Sequence, residues 1–268
     1  GELVTADLFV DASGFRSELL GRALGEPFED YSNVLFCDRA VIGGWPRTTE
    51  PIQPYTVAET MDAGWSWRID HENWINRGYV YSSRFLDDSG AREEFVRKNP
   101  LVAEDGREVR VVRFRTGRYR RQWVGNVVAV GNASGFIEPL EATALANICN
   151  QARSLVDILC ESARSPTAGM VALYNQLFAW GWDEVRDFLA VHYRFNRRLD
   201  TPFWQVCRNE VPLGNAQALT DFYQENGPTC VHQDALLPQR SVFGMEGYLS
   251  LLVGQTVPHR AAYRASPE

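Results

Sequence analysis

Glu138 and Glu141 flank Pro139, directly after the turn Gly131-Asn132-Ala133-Ser134-Gly135. Upstream, Asn126-Val127-Val128-Ala129-Val130 is an apolar run of the kind that forms a strand buried on both faces. Downstream, Leu145, Ile148, Ala152, Leu155 and Leu159 recur at steps of three and four, which predicts a long helix after Pro139. A strand, glycine turn and helix in that order can bind ligands. The start of a helix leaves backbone N–H groups unpaired and partly positive, so anions and polar cofactor atoms collect there. Glycines let a ligand approach the backbone closely. Asn132 could hydrogen-bond a sugar or ribityl hydroxyl, and Pro139 suits a first helical turn. Two readings of the glutamates stand at this point. In one they are charge partners of the helix dipole with a capping role. In the other, Glu141 faces a site beside a small anion held by the amides near Thr143, which requires opposing charge or strong N–H donors.

Other elements must position this unit. Asp7-Leu8-Phe9-Val10-Asp11, closed by Ala12-Ser13-Gly14, reads as another buried strand, and Gly14 turns the chain into a helical stretch from Arg16 to Ala23. From about Asn33 to Thr116, runs rich in Val, Tyr, Trp and Phe alternate with Gly, Pro and Asp. Val34 to Trp45, Tyr55 to Ala58, Gly64 to Ile69 and Gly78 to Phe85 predict an antiparallel sheet. Within it, Asp88 to Asn99 reads as a short helix capped by Ser89 and ended by Pro100. Thr167 opens a further helix, on which Met170, Leu173, Leu177, Trp180, Val185, Phe188 and Leu189 follow the helical period and Gly181 marks a point for a kink. The tail from Thr201 to Glu268 is mixed and rich in aromatics. The expected class is mixed α/β. Four regions are expected: residues 1–30, a strand and helix; 31–117, the antiparallel sheet; 118–165, the strand and glutamate-bearing helix; and 166–268, a helical region.

Composition excludes several function classes. A net charge of −7 gives no reason to expect a nucleic-acid or anionic-membrane partner. No apolar run approaches the ~20 residues of a membrane span. The cysteines Cys37, Cys149, Cys160, Cys207 and Cys230 are scattered and odd in number, so neither a disulfide scaffold nor a metal site is expected, and a reduced, cytoplasmic setting is.

The run Gly131-Asn132-Ala133-Ser134-Gly135-Phe136-Ile137-Glu138-Pro139-Leu140-Glu141-Ala142-Thr143-Ala144-Leu145 resembles the flavin and halide segment of the flavin-dependent tryptophan halogenases. Gly64-Trp65-Ser66-Trp67-Arg68-Ile69 is similar to the family's Gly-Trp-x-Trp-x-Ile-Pro signature, with Asp70 where proline is usual. On pattern alone those tryptophans could equally be a hairpin strand burying alternate side chains. Asp7 to Ser17 resembles the family's FAD-domain strand and turn. His192-Tyr193 and Asp200-Thr201-Pro202-Phe203-Trp204 resemble the lining of the aromatic substrate pocket, and Leu251 to Pro258 the C-terminal helix region. The resemblance covers nearly the whole chain but only the later half of a family member.

The resemblance implies part of a glutathione-reductase-like FAD-binding domain with an antiparallel sheet and a C-terminal helical substrate region. It implies reduced FAD supplied by a separate flavin reductase, chloride or bromide as co-substrate, and halogenation of an electron-rich, indole-type arene. Carried over by position, Glu141 is the catalytic glutamate. Thr143 and the Ala144 amide form the halide site, where a methyl replaces the family's usual glycine hydrogen. Gly14, Gly131, Asn132, Ala133, Gly135, Trp65 and Trp67 lie at the flavin. Ala142, His192, Tyr193, Phe203 and Trp204 lie at the substrate, the last two as stacking walls.

One departure bears on the substrate. Members acting on free tryptophan carry a Tyr-Tyr pair and, six residues after it, a glutamate holding the amino-acid portion. This chain has His192-Tyr193 and Leu199 instead, and leucine accepts no hydrogen bond from an ammonium group. The expected substrate is therefore not free tryptophan but a simple indole, a phenolic arene or a peptide-linked indole. The family's Gly-x-Gly-x-x-Gly turn and catalytic lysine are expected in an N-terminal segment upstream of Gly1. Lys98, the only lysine, sits in a charged stretch that reads as a solvated helix face. The chain by itself is expected neither to hold FAD tightly nor to halogenate. The alternatives are a flavin-dependent aromatic monooxygenase and a non-catalytic fragment that binds a partner or an aromatic ligand.

Overall fold

The structure, a computed structural model, describes residues 3–262 except 105, 107, 230–232 and 238–240, so Cys230 lies outside the described residues. In chain order the strands are β1 Phe9–Asp11, β2 Phe28–Asp30, β3 Arg39–Pro46, β4 Val57–Met61, β5 Gly64–Asp70, β6 Trp74–Tyr81, β7 Arg110–Arg113, β8 Gly117–Tyr119, β9 Trp123–Val124, β10 Val127–Ala129 and β11 Gly135–Phe136. The helices are α1 Asp88–Lys98, α2 Pro100–Glu104, α3 Ala144–Glu161, α4 Ala168–Phe195, α5 Pro202–Glu210, α6 Gln217–Asn226 and α7 Gly244–Gly254. The mixed α/β class agrees with the sequence.

The expected antiparallel sheet has the order β4-β5-β6-β3-β7. Side chains alternate across its faces. On one face Val41, Tyr79 and Tyr81 pack with Ala91 and Phe95 of α1 and Val102 of α2. On the other, Ala40, Trp65 and Val80 join Val185, Leu189 and Tyr193 of α4 and Phe203 and Trp204 of α5. Helices therefore cover both faces. Burying each large apolar side chain contributes about 1.5–3 kcal/mol, so both layers help to hold the sheet. A second sheet, β1-β10-β9, pairs β1 parallel to β10, joining Phe9 to Val127 and Asp11 to Ala129. A third has the order β11-β8-β2, both pairings antiparallel.

Several boundaries differ from those expected of the sequence. The first sheet strand starts at Arg39, because Val34 and Leu35 close a turn on the Tyr31 carbonyl. Asp87, not Ser89, caps α1: its carboxylate accepts from Gly90 N at 2.8 Å. Pro100 opens α2 rather than only ending α1, as its fixed φ permits at a first helical position. In place of one helical stretch from Arg16, Gly14–Arg16 is a short 3-10 turn and Glu18–Ala23 a π-type turn. Their N–H groups at Leu19 and Leu20 bond the Asp11 carboxylate. The α4 helix runs unbroken through Gly181, with Thr167 as its cap. Its buried face is Tyr174, Phe178, Trp182 and Val185, whereas Leu173 and Trp180 are exposed.

Candidate functional site

The glutamate-bearing segment does not run straight into a helix. Glu138 is extended, Pro139–Glu141 forms one 3-10 turn, and Ala142 adopts a left-handed conformation (φ 52) before α3 begins at Ala144. This break places the two glutamates in different environments. Leu145, at the head of the predicted apolar stripe, is 75% exposed, because the first turn of α3 projects beyond the layer that receives Leu155.

Glu138 is buried. Its Oε1 accepts from Trp65 Nε1 at 2.9 Å and from the Tyr193 hydroxyl, and Oε2 has no hydrogen-bond partner among the described residues. Burial pushes its carboxyl up to about 7, and the bonds from Tyr193 and Trp65 offset part of that rise. The Cys37 thiol lies 3.4 Å from the same hydroxyl. Burial in this apolar setting raises the thiol well above its ordinary value, and the Glu138 charge adds to that.

Glu141 instead lines a cavity of about 530 Å³. A 2.5 Å hydrogen bond links His192 Nε2 of α4 to Glu141 Oε1. Oε2 has no protein partner among the described residues. Trp65, Tyr193 and Trp204 line the same cavity, with Leu140, Asn196, Arg197, Arg198 and Gln255. The Trp204 ring is held by Nε1 donating to the Met61 carbonyl at 2.7 Å and by stacking on Tyr193 at 5.7 Å. A carboxylate, an imidazole and three aromatic side chains thus meet in a space large enough for a bicyclic arene.

The other residues singled out from sequence fall elsewhere. Phe203 does not line the cavity. It is buried, edge-on to Trp204 at 4.9 Å and against Phe85, because neighbours on a helix point about 100° apart. Trp67 donates to Asn76 Oδ1 at 2.7 Å and covers Gly78. Asp70 accepts from Arg68 Nε and Gln53 N, which gives the departure from proline a structural role at the end of β5. Gly131 N donates to Gln151 Oε1 at 2.7 Å and the Ala133 carbonyl accepts from Ser17, so both are occupied in holding the turn rather than free. Asn132 and Gly135 open onto a separate recess of about 240 Å³ with Phe15, Phe28 and Phe136. Gly14 (φ 67) has open space where a Cβ would point and does not itself line that recess, although its neighbour Phe15 does. Ala142 is exposed, and neither it, Thr143 nor Ala144 lines either cavity. Lys98 lies 4.0 Å from Glu59 on the outer face of α1. The His192–Glu141 contact and the arginines at the cavity had no signal in local spacing, since 51 positions separate that pair. Cys37, Cys149, Cys160 and Cys207 are unpaired. Among the described residues no helix is long and apolar enough to cross a membrane.

The chain is similar to known proteins over nearly its whole length. The family model described as tryptophan halogenase matches residues 1–266. Tryptophan 7-halogenase RebH of Lentzea aerocolonigenes is 37% identical over 226 residues, covering 84% of this chain and 42% of that protein. Tryptophan 6-halogenase ThaL of Streptomyces albogriseolus is 39% identical over 210 residues, 77% of this chain and 39% of its own length. The crystal structure of MibH, a lanthipeptide tryptophan 5-halogenase, superposes with a TM-score of 0.89 at 40% identity, covering 100% of this chain and 51% of that one. BrvH, a flavin-dependent halogenase from Brevundimonas sp. BAL3, gives 0.87 at 32% identity, with 97% and 50% covered. The chain thus spans about two fifths of the curated relatives it matches and half of the solved structures. With the match over residues 1–266 and the fold shared at these identities, the chain belongs to the tryptophan halogenase family.

Proposed function

We propose that this chain forms the substrate-binding half of a flavin-dependent halogenase acting on an indole-type arene other than free tryptophan. One observation carries the reading: Glu141 and its partner His192 share a cavity with Trp65, Tyr193 and Trp204. Reduced FAD, when bound, supplies with oxygen the oxidising power that turns chloride or bromide into an electrophilic halogen. The recess at Asn132 fits one edge of a flavin. Its side chain offers an amide beside the Phe15 and Phe136 rings, but 240 Å³ is below the roughly 300–1,000 Å³ of sites that enclose drug-sized ligands. Gly131, Ala133 and Gly135 then shape this wall through the turn that carries Asn132, and Trp65 lines the arene cavity. Thr143 and the Ala144 N–H are the halide donors. A flavin reductase is the partner, and a reducing, cytoplasmic setting fits the unpaired cysteines.

The chain's own side chains account for the step on the arene. Trp204 and Tyr193 hold the ring by stacking, with Phe203 bracing Trp204 from behind. A ring carbon forms its bond to halogen and must then lose a proton to restore aromaticity. His192 fixes Glu141 by Oε1, which leaves Oε2 to take that proton. Leu199 offers no acceptor for an amino group, which argues against free tryptophan.

The test is an enzyme assembled from this chain and the N-terminal half of a family member, given a flavin reductase, FAD, bromide and indole. Bromoindole is expected, with Glu141→Gln lowering its rate by about 10²–10⁴-fold. Hydroxyindole formed equally with and without bromide would support the aromatic monooxygenase instead. Preference for free tryptophan over indole would overturn the substrate assignment.

A further inference from the structure

The chain carries a net charge of −7, yet the mouth of the Glu141 cavity is basic. Each acid lining it is already engaged: Glu59 pairs with Arg77 and lies near Lys98, and Glu141 bonds His192. Arg197 and Arg198 line the same cavity, are exposed, and have no carboxylate partner among the described residues. Arg197 and Phe195 also line an adjoining space of about 550 Å³, together with Arg194. The Arg194 guanidinium bonds a backbone carbonyl, that of Arg208, while Arg208 itself pairs with Asp200. Among the described residues, Arg197 lines both spaces, Arg198 the arene cavity and Arg194 the second space, and none of the three pairs with an acid; Asp200, the acid lining the second space, is held by Arg208. Arg194 lies in the last turn of α4, which also carries His192 and Tyr193, and Arg197 and Arg198 follow its end. The same helix end thus positions the groups facing the ring and the charges beyond it.

Resting on the proposed arene site, we propose that Arg197 and Arg198, with Arg194 behind them, form a carboxylate-binding subsite, so that the substrate is an indole joined to an acidic extension. A guanidinium binds a carboxylate through paired N–H donors, and it does so best where no protein acid competes. The adjoining space gives such an extension room beyond the ring. The carboxylate could belong to a small aryl acid or to an acidic side chain in a peptide carrying the indole. Both present the same chemistry to the arginines.

Calorimetric titration of this chain separates the outcomes. The probes are indole-3-propionate against indole-3-propionamide, and the blocked peptides Trp-Gly-Glu against Trp-Gly-Gln. The acid of at least one pair is expected to bind about tenfold or more tightly than its amide, with the advantage shrinking in high salt. In an R197Q/R198Q double variant the advantage should vanish while the amides bind as before. Both positions are exposed, and circular dichroism checks the variant's fold. A larger effect in the peptide pair assigns the extension to a peptide, and a larger effect in the propionate pair to a small acid. Equal binding of acid and amide in both pairs, or an advantage that survives the double variant, overturns the subsite. Failure of all four probes to bind overturns the arene site on which it rests.

Discussion

The two glutamates beside Pro139 show how little separates a structural acid from a reactive one. Glu141 sits at the cavity with a single imidazole partner, whereas Glu138, three positions earlier, is enclosed by Trp65, Tyr193 and Cys37. Glu138 titrates at about pH 7 in the fold and about pH 4.3 unfolded, so its contribution to stability is fully present below the unfolded value and is lost as pH rises towards 7. Glu138→Gln keeps an acceptor for both donors and removes the titration. Urea unfolding at pH 5 and pH 8 should show wild type losing on the order of 3 kcal/mol relative to the variant. Identical pH dependence in the two proteins would mean that the carboxyl is not buried as described. Burial accounts for this division of roles. The sequence left both glutamates open to a capping role, because residue type and spacing carry no information on which side of Pro139 faces solvent.

At the level of elements, β5 and β6 hold the tryptophans at fixed positions. Gly78 of β6 lies opposite Trp67, and a Cβ there would come within 2.0 Å of the indole ring. Gly78→Ala should therefore displace Trp67, break its bond to Asn76 and destabilise the protein by about 1–3 kcal/mol. Thermal unfolding together with tryptophan fluorescence would register this, and an unchanged melting temperature with unchanged emission would contradict it. The strands themselves were legible, since β5 alternates tryptophan with smaller or polar residues and glycine, proline and aspartate punctuate the region. Helix edges were less so. Alanine gives no sequence sign of a left-handed backbone, so the break at Ala142 and the late start of α3 were invisible. Periodicity identified α5 only as aromatic-rich and could not say that Trp204 faces the cavity while Phe203 faces the core. The apolar stripe on α3 misplaced Leu145 for a related reason: period finds a face but not what covers it.

For the whole molecule, the sheet covered by helices on both faces brings α4 and α5 against β4 and β5. That packing alone unites residues as distant in sequence as Trp65, Glu141, His192 and Trp204. The class could be anticipated, and the motifs named Trp65, Glu141, His192, Tyr193 and Trp204, which the fold brings to one cavity. The pairing of His192 with Glu141 and the basic mouth are products of tertiary packing and become visible only in the assembled fold. The central claim is that an arene occupies this cavity. Two indole N–H groups at the cavity report on it, Trp65 bonded to Glu138 and Trp204 bonded to Met61, while Trp123, bonded to Gly125, lies in a different cluster. The most direct measurement is ¹⁵N-resolved NMR of the chain titrated with indole. The Trp65 and Trp204 side-chain signals should shift saturably while that of Trp123 stays in place; signals that do not move, or that all move together, would contradict the account.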